Sequence, residues 1–298
     1  MMKTGPSIAS GVRDAFRRAT GLETGVESVT WLAGAMAGRT GKIRAGDRSF
    51  FVKWSEGPEG AAALEAEADG LTRLKKACPR HVVDVAGFAI APDESGSLLV
   101  LGFLERGSPA RDHDIRLAEA LAEIHSVTAD AYGLDRDNFI GSTPQTNSRR
   151  STWPEFFATM RLLPMARRLR DRGAWPAHWS RPFDRLVHRL PELLPDRPPA
   201  ALVHGDLWSG NVMTAGDGRP VLIDPAVYHG HAETDLAMMK LFGGFAPACF
   251  QRYDEIRGRE SGFADRTALY NLYHLLNHVL LFGEGYHGSV EKTLRRFD

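Results

Sequence analysis

Between residues 202 and 226 the chain reads LVHGDLWSGNVMTAGDGRPVLIDPA, and Asp206, Asn211 and Asp224 have the types and order that phosphoryl transfer requires. Asp206 lies in the loop opened by His204-Gly205, placed to take the proton of a hydroxyl nucleophile. Val212 to Thr214 reads as a strand, Gly216-Asp217-Gly218 as its turn, and Val221 to Ile223 as the returning strand. A hairpin is antiparallel, so Asn211 just before it and Asp224 just after it are expected side by side. An amide oxygen beside a carboxylate suits a hard cation such as magnesium, which keeps waters and also takes phosphate oxygens. Singly these residue types mostly make turns. Their joint order carries the reading.

A second candidate group lies upstream. Lys53 sits in the alternating run Phe51-Val52-Lys53-Trp54. A lone strand lysine is commonly solvated, but the next segment changes the reading. Leu64, Ala68, Leu71 and Leu74 form an apolar stripe at helical spacing, with Glu67 inside it and Glu65 turned onto a polar flank. A carboxylate on a buried stripe needs a cation, and Lys53 is the nearest in sequence. A strand lysine paired with a helix glutamate is the device that holds the α- and β-phosphates of a nucleotide. The small-residue loop containing Gly34 and Gly38 precedes that strand, where a cover for phosphates would sit; it matches no strict glycine-rich pattern and reads equally as a plain turn. Gly102-Phe103-Leu104 would offer backbone groups to an adenine edge, a reading that depends on the others.

The elements that must position these residues fall into two styles. Up to Gly102 the pattern is strand-rich: a helix near Ile8 to Thr20, strands at Val26 to Leu32, Thr40 to Ala45 and Ser49 to Trp54, a helix from Gly60 to Ala77, then strands at Val82 to Ile90 and Ser97 to Phe103. Beyond it helices dominate: Ile115 to Ser126, Trp153 to Arg172, Pro182 to Leu194, Asp235 to Phe242 and Arg266 to Phe282. The expectation is an α+β, bilobal, protein-kinase-like fold, with a small β-rich lobe over residues 1–102 and a larger, mainly helical lobe over 103–298. Gly141 to Arg150, rich in Ser, Thr, Asn and Pro, reads as an ordered loop on the large lobe.

Composition removes several alternatives. With 37 basic and 37 acidic residues, no global field draws the chain to nucleic acid or an anionic membrane. Cys78 and Cys249 form no ligand spacing and no disulfide framework, which suits a reducing, cytoplasmic setting. The N-terminal residues lack a signal-peptide core, and no apolar run reaches membrane-spanning length; Leu269 to Phe282, interrupted by His274, Asn277 and His278, reads as a core helix. His229 with His231, and His274 with His278, lack a third ligand for zinc. His204 reads as an orienting residue. Glu233 and Asp235 read as a helix start or as supports for the catalytic loop, the structural role being preferred. Trp208 reads either as a wall for a sugar or amine or as a core aromatic.

With those residues in view, the chain resembles the fructosamine kinase, or ketosamine 3-kinase, family, relatives of the aminoglycoside phosphotransferases. His204 to Asn211 (HGDLWSGN) is close to a family hallmark, and the Trp208-Ser209-Gly210 insert is seldom shared by aminoglycoside or choline kinases. The resemblance continues through Asp224-Pro225-Ala226, Tyr228 to His231, Asp235 to Met238, Tyr132-Gly133-Leu134, Gly141 to Asn147 and Leu272 to His278, covering essentially the whole chain. It implies Asp206 as catalytic base, Asn211 and Asp224 as magnesium ligands, and Lys53 with Glu67 as the ATP phosphate anchor. Gly102 to Leu104 would be the adenine hinge, and Trp208, Tyr228 and His231 would lie around the substrate. It further implies ATP-dependent phosphorylation of the sugar 3-hydroxyl of small ketosamines or glycated protein lysines, leading to deglycation. Many relatives have an acidic residue where this chain has Gly102, and some carry a redox-sensitive cysteine in the phosphate loop, which Ala33 to Thr40 lacks. The rivals are an aminoglycoside- or choline-type kinase of the same fold, and a nucleotide-binding pseudokinase that ATP turnover would separate.

Overall fold

A computed structural model describes residues 6–22, 25–32, 38–258 and 260–298, with side chains of 6–9 excepted. Helix α1 (Pro6–Thr20) leads into strands β1 (Val26–Leu32), β2 (Arg39–Ala45) and β3 (Arg48–Ser55), then α2 (Gly57–Ala77), β4 (Val85–Ile90) and β5 (Ser97–Gly102). Next come α3 (His113–Ser126), the short strands β6 (Thr128–Ala129), β7 (Asn138–Ile140) and β8 (Thr143–Gln145), and α4 (Trp153–Phe156), which passes through a wide π-turn segment, Phe157–Leu162, into α5 (Leu163–Asp171). Then follow α6 (Ser180–Leu193), β9 (Ala200–Val203), β10 (Val212–Thr214), β11 (Pro220–Leu222), β12 (Tyr228–His231), α7 (Glu233–Phe242), α8 (Pro247–Arg257), α9 (Phe263–Phe282) and α10 (His287–Arg296). Among the described residues, no helix is long and apolar enough to cross a membrane.

The chain forms two compact units, Met1–His113 with Val212–Pro225, and Asp114–Asn211 with Ala226–Asp298. The expected division at residue 102 differs from this in two places: 103–113 and the β10–β11 hairpin both group with the first unit. Hydrogen bonds explain why. Gly107 N–H donates to Thr214 O, Ala110 N–H to Gly218 O, Leu222 N–H to His81 O and Val83 N–H to Leu222 O.

In the first unit the sheet order is β1-β2-β3-β5-β4, every neighbour antiparallel. Alternation along β3 sends Phe50, Val52 and Trp54 into a core with Val12, Ala15 and Phe16 of α1. Lys53 is therefore on the opposite face, the one that receives α2. β5 is buried along its length to Leu101, which accounts for its unbroken apolar run.

In the second unit, Trp153, Phe156, Phe157, Leu186, Tyr270 and Leu276 belong to one large aromatic and aliphatic core. β9 lies between β12 and β6, and all its residues are buried. Strands so short and so fully buried show no alternation, and β9 and β12 were not anticipated from the sequence. Nor were α8 and α10. The expected loop at Gly141 to Arg150 contains β8, paired with β7 through a turn at Gly141 (φ 59°).

Candidate active site

The site residues form two groups, one in each unit. In the first, Lys53 Nζ lies 2.8 Å from Glu67 Oε1 and 2.8 Å from Asp224 Oδ1. Leu64, Ala66, Gly70, Leu71 and Leu74 are the buried residues of α2, and Glu65 is exposed, so Glu67 is the carboxylate turned to the strand. Burial alone would lower the Lys53 pKa, but the charges and hydrogen bonds of Glu67 and Asp224 outweigh it and hold the ammonium protonated, above its ordinary range. Burial pushes the Glu67 carboxyl up, and the lysine offsets only part of that. Asp224 follows β11 with φ 52°, a left-handed conformation that is uncommon outside glycine, though aspartate tolerates it better than most. Such a turn persists when its surroundings over-determine it; the ion pair with Lys53 and the stapled hairpin do so here.

Gly38 (φ 73°) sits where the expected phosphate-covering loop rejoins β2, so close to the Trp54 carbonyl that a Cβ would collide with it. Gly34, the other glycine expected there, lies outside the described residues. At the expected hinge, Gly102 spends its N–H on Asp84 O at 2.8 Å, while the Phe103 ring is covered by Lys42 Nζ at 4.0 Å from its centroid.

The second group is the loop after β9. His204 is fully buried, and Gly205 turns with φ 81° against Ala226, whose carbonyl leaves no room for a Cβ. Asp235, at the start of α7, accepts the N–H groups of His204 at 2.7 Å and Gly205 at 2.9 Å. His125 Nε2 lies 3.1 Å from Asp235 Oδ2, and Tyr253 OH 2.7 Å from His125 Nδ1. Burial alone would raise the Asp235 carboxyl, but the hydrogen bond and charge of His125, the His204 charge and the Gly205 amide together hold it below the usual carboxylate range. Asp235 is thus the support for the loop that carries Asp206. Its partners His125 and Tyr253 had no sequence signal.

Asp206 is fixed by Asn211, whose Nδ2 donates to Asp206 O at 2.8 Å and to Oδ2 at 3.2 Å. With Nδ2 so committed, Oδ1 is the atom Asn211 has to offer a cation. Trp208 is 40% exposed, and its indole lies so close over Gly210 that any larger residue there would displace it. That accounts for the glycine of the Trp-Ser-Gly insert. The indole meets Phe242 edge-on at 6.3 Å, and Trp208 is an exposed aromatic, not a core one.

Tyr228 and His231, expected around the substrate, are buried, at 2% and 6% exposure. Tyr228 stacks on Phe156, and His231 Nδ1 lies 2.7 Å from Tyr270 OH. Burial, with the Arg266 and His125 charges adding, holds the His231 imidazole down to about 3. Both belong to β12, which pairs fully with β9, so their place is set by the sheet.

Each group by itself has the residue types of a phosphotransferase of the protein-kinase-like fold, and comparison with known proteins narrows the class. A sequence profile described as Fructosamine kinase matches residues 9–297, and the chain belongs to that family. It is 40% identical over 256 residues to a Synechocystis protein named "Probable ketoamine kinase", covering 84% of this chain and 83% of that one. It is 34% identical to the chloroplastic protein-ribulosamine 3-kinase of Arabidopsis thaliana, covering 81% and 74% respectively. A crystal structure assigned as a fructosamine-3-kinase, from Thermobifida fusca, superposes with a TM-score of 0.85 at 34% identity over 94% of this chain and 95% of that one. An aminoglycoside phosphotransferase, APH(4)-Ia, superposes with a TM-score of 0.62 at 16% identity over 96% of this chain and 98% of that one, which establishes the shared fold alone.

Proposed function

We propose that the chain is an ATP-dependent ketosamine 3-kinase, phosphorylating the sugar 3-hydroxyl of fructosamine- or ribulosamine-type adducts, free or on protein lysines. The observation that carries this is the Asp206–Asn211 loop with Trp208 exposed beside it: a proton acceptor locked in place, and next to it an aromatic wall of the kind sugars stack on. Asp206 accepts the proton of the 3-hydroxyl as its oxygen bonds to the γ-phosphorus and ADP departs. Lys53, kept protonated by Glu67 and Asp224, holds the α- and β-phosphates. Asn211 and Asp224 supply oxygen donors only, a set that fits magnesium. Bound there, magnesium would neutralise charge on the polyphosphate. The 3-phosphorylated adduct would release its amine, making the reaction a step of deglycation, and a cytoplasmic setting suits two buried cysteines that form no disulfide.

The test is a panel of ketosamines, aminoglycosides and choline incubated with ATP and magnesium. Ketosamines alone are expected to be phosphorylated. Turnover of an aminoglycoside with none of any ketosamine would reverse the reading, and ATP binding without any transfer would make the chain a pseudokinase.

A further inference from the structure

Arg161 is fully buried within the π-turn segment, and among the described residues no carboxylate forms an ion pair with it. Burying an unpaired guanidinium costs several kcal/mol unless hydrogen bonds and aromatic faces compensate. Its Nη1 donates to Thr146 O at 2.8 Å and Met160 O at 3.0 Å, and its Nη2 to Asn147 Oδ1 at 2.8 Å. The guanidinium carbon stands 3.9 Å from the Tyr228 ring centroid and 4.6 Å from that of Phe156.

A guanidinium only donates, and that fixes the direction of the amides beyond it. Asn147 must accept with Oδ1, so its Nδ2 donates, to Asn138 Oδ1 at 2.7 Å. Asn138 in turn donates Nδ2 to Val227 O at 2.8 Å. Gln145 donates Nε2 to the same Asn138 oxygen at 2.8 Å and to Ala226 O at 3.1 Å, while its Oε1 accepts from Tyr273 OH at 2.7 Å. The network thus ends on two consecutive carbonyls outside regular structure. Ala226 is also the residue whose N–H donates to His204 O at 2.8 Å and whose carbonyl presses on Gly205. Asp206 is the next residue.

We propose that Arg161 is a positioning residue for the catalytic base. Through the polarity it imposes on Asn147, Asn138 and Gln145, it clamps Ala226 and Val227 and so holds Gly205 and Asp206 in register. Gly141 to Asn147 therefore braces the catalytic loop from inside: Thr143, Gln145 and Asn147 are all buried. This rests on Asp206 being the base.

The test compares Arg161→Gln, Arg161→Lys and Tyr273→Phe with the wild type, measuring kcat, both KM values, thermal stability and amide hydrogen exchange. Arg161→Gln can both accept and donate, freeing the amides to flip. It is expected to lower kcat by about tenfold or more, with both KM values within about threefold, because a slightly misplaced base slows chemistry more than binding. Arg161→Lys is not expected to rescue, since one ammonium cannot span three separated acceptors. Tyr273→Phe removes a single hydroxyl, keeps the fold should both arginine variants fail, and is expected to show a smaller fall of the same kind. Exchange at the Ala226 amide should quicken in every variant that folds, with the Ala201 and Leu202 amides of β9 as internal controls. Wild-type kcat in folded variants, or unchanged exchange at Ala226, overturns the proposal. A wild type inactive on every ketosamine would instead defeat the functional reading, and the exchange result would still decide whether Arg161 clamps Ala226.

Discussion

Lys53 shows how much of the chemistry depends on single contacts. Its ammonium serves two carboxylates at once, both 2.8 Å away, and removing any of the three leaves charge in a half-closed environment. Lys53→Ala and Glu67→Ala should each impair phosphoryl transfer, and the double variant should lose clearly less than the sum in a double-mutant cycle of kcat/KM. Glu65→Ala, on the exposed side of α2, should be mild; strict additivity, or a larger loss at Glu65, would show that the pair does not act as a unit. Asp206→Asn keeps the shape but not the basicity of the side chain. Turnover should fall by about 10² to 10⁴ with ATP affinity nearly kept, the usual weight of a positioned base. A near-normal rate for that variant would move the base elsewhere.

The elements explain why these side chains meet their partners. Period-two alternation in β3 and a helical stripe in α2 were enough to predict from sequence that Lys53 and Glu67 would pair, because Lys53 lies on the face of β3 opposite the α1 core and Glu67 lies inside the apolar stripe of α2. The β10–β11 hairpin was legible for the same local reason, its glycine-rich turn lying between two short apolar runs. The burial of Tyr228 and His231 was not legible in the sequence, because only the long-range pairing of β12 with β9 decides where they point. His125, Asp235 and Tyr253 lie far apart in sequence, and no spacing rule connects them. Arg161 did leave a trace, as a charged residue inside the apolar run Phe156 to Leu163. In the loop after β9, Trp208 is the exposed aromatic, held across Gly210. Trp208→Ala should raise the KM for the sugar substrate more than that for ATP; an equal or opposite split in steady-state kinetics would remove Trp208 from the substrate wall.

Across the whole molecule, burial of histidines couples stability to pH. The His231 and His274 imidazoles are both held down to about 3 by burial, well below 6.5, and His278 is lowered in the same sense. The unfolded chain therefore binds protons that the folded chain refuses. Their contribution is fully present above pH 6.5 and is lost as pH falls from there toward 3. Between pH 7 and 5.5, His231 and His274 together should cost about 2 kcal/mol of unfolding free energy, measurable by urea titration, and His274→Gln should flatten the slope. A stability that is level across that interval would mean that these imidazoles take up protons without unfolding. The central claim, that this fold transfers phosphate to O3 of a ketosamine, is tested most directly by incubating ribulosyl-lysine with ATP and magnesium and locating the phosphate by phosphorus–proton NMR correlation. The account predicts coupling of phosphorus to the proton on C3, with ADP formed in equal amount. Phosphate on any other hydroxyl, or ADP formed with no phosphorylated sugar, would contradict it.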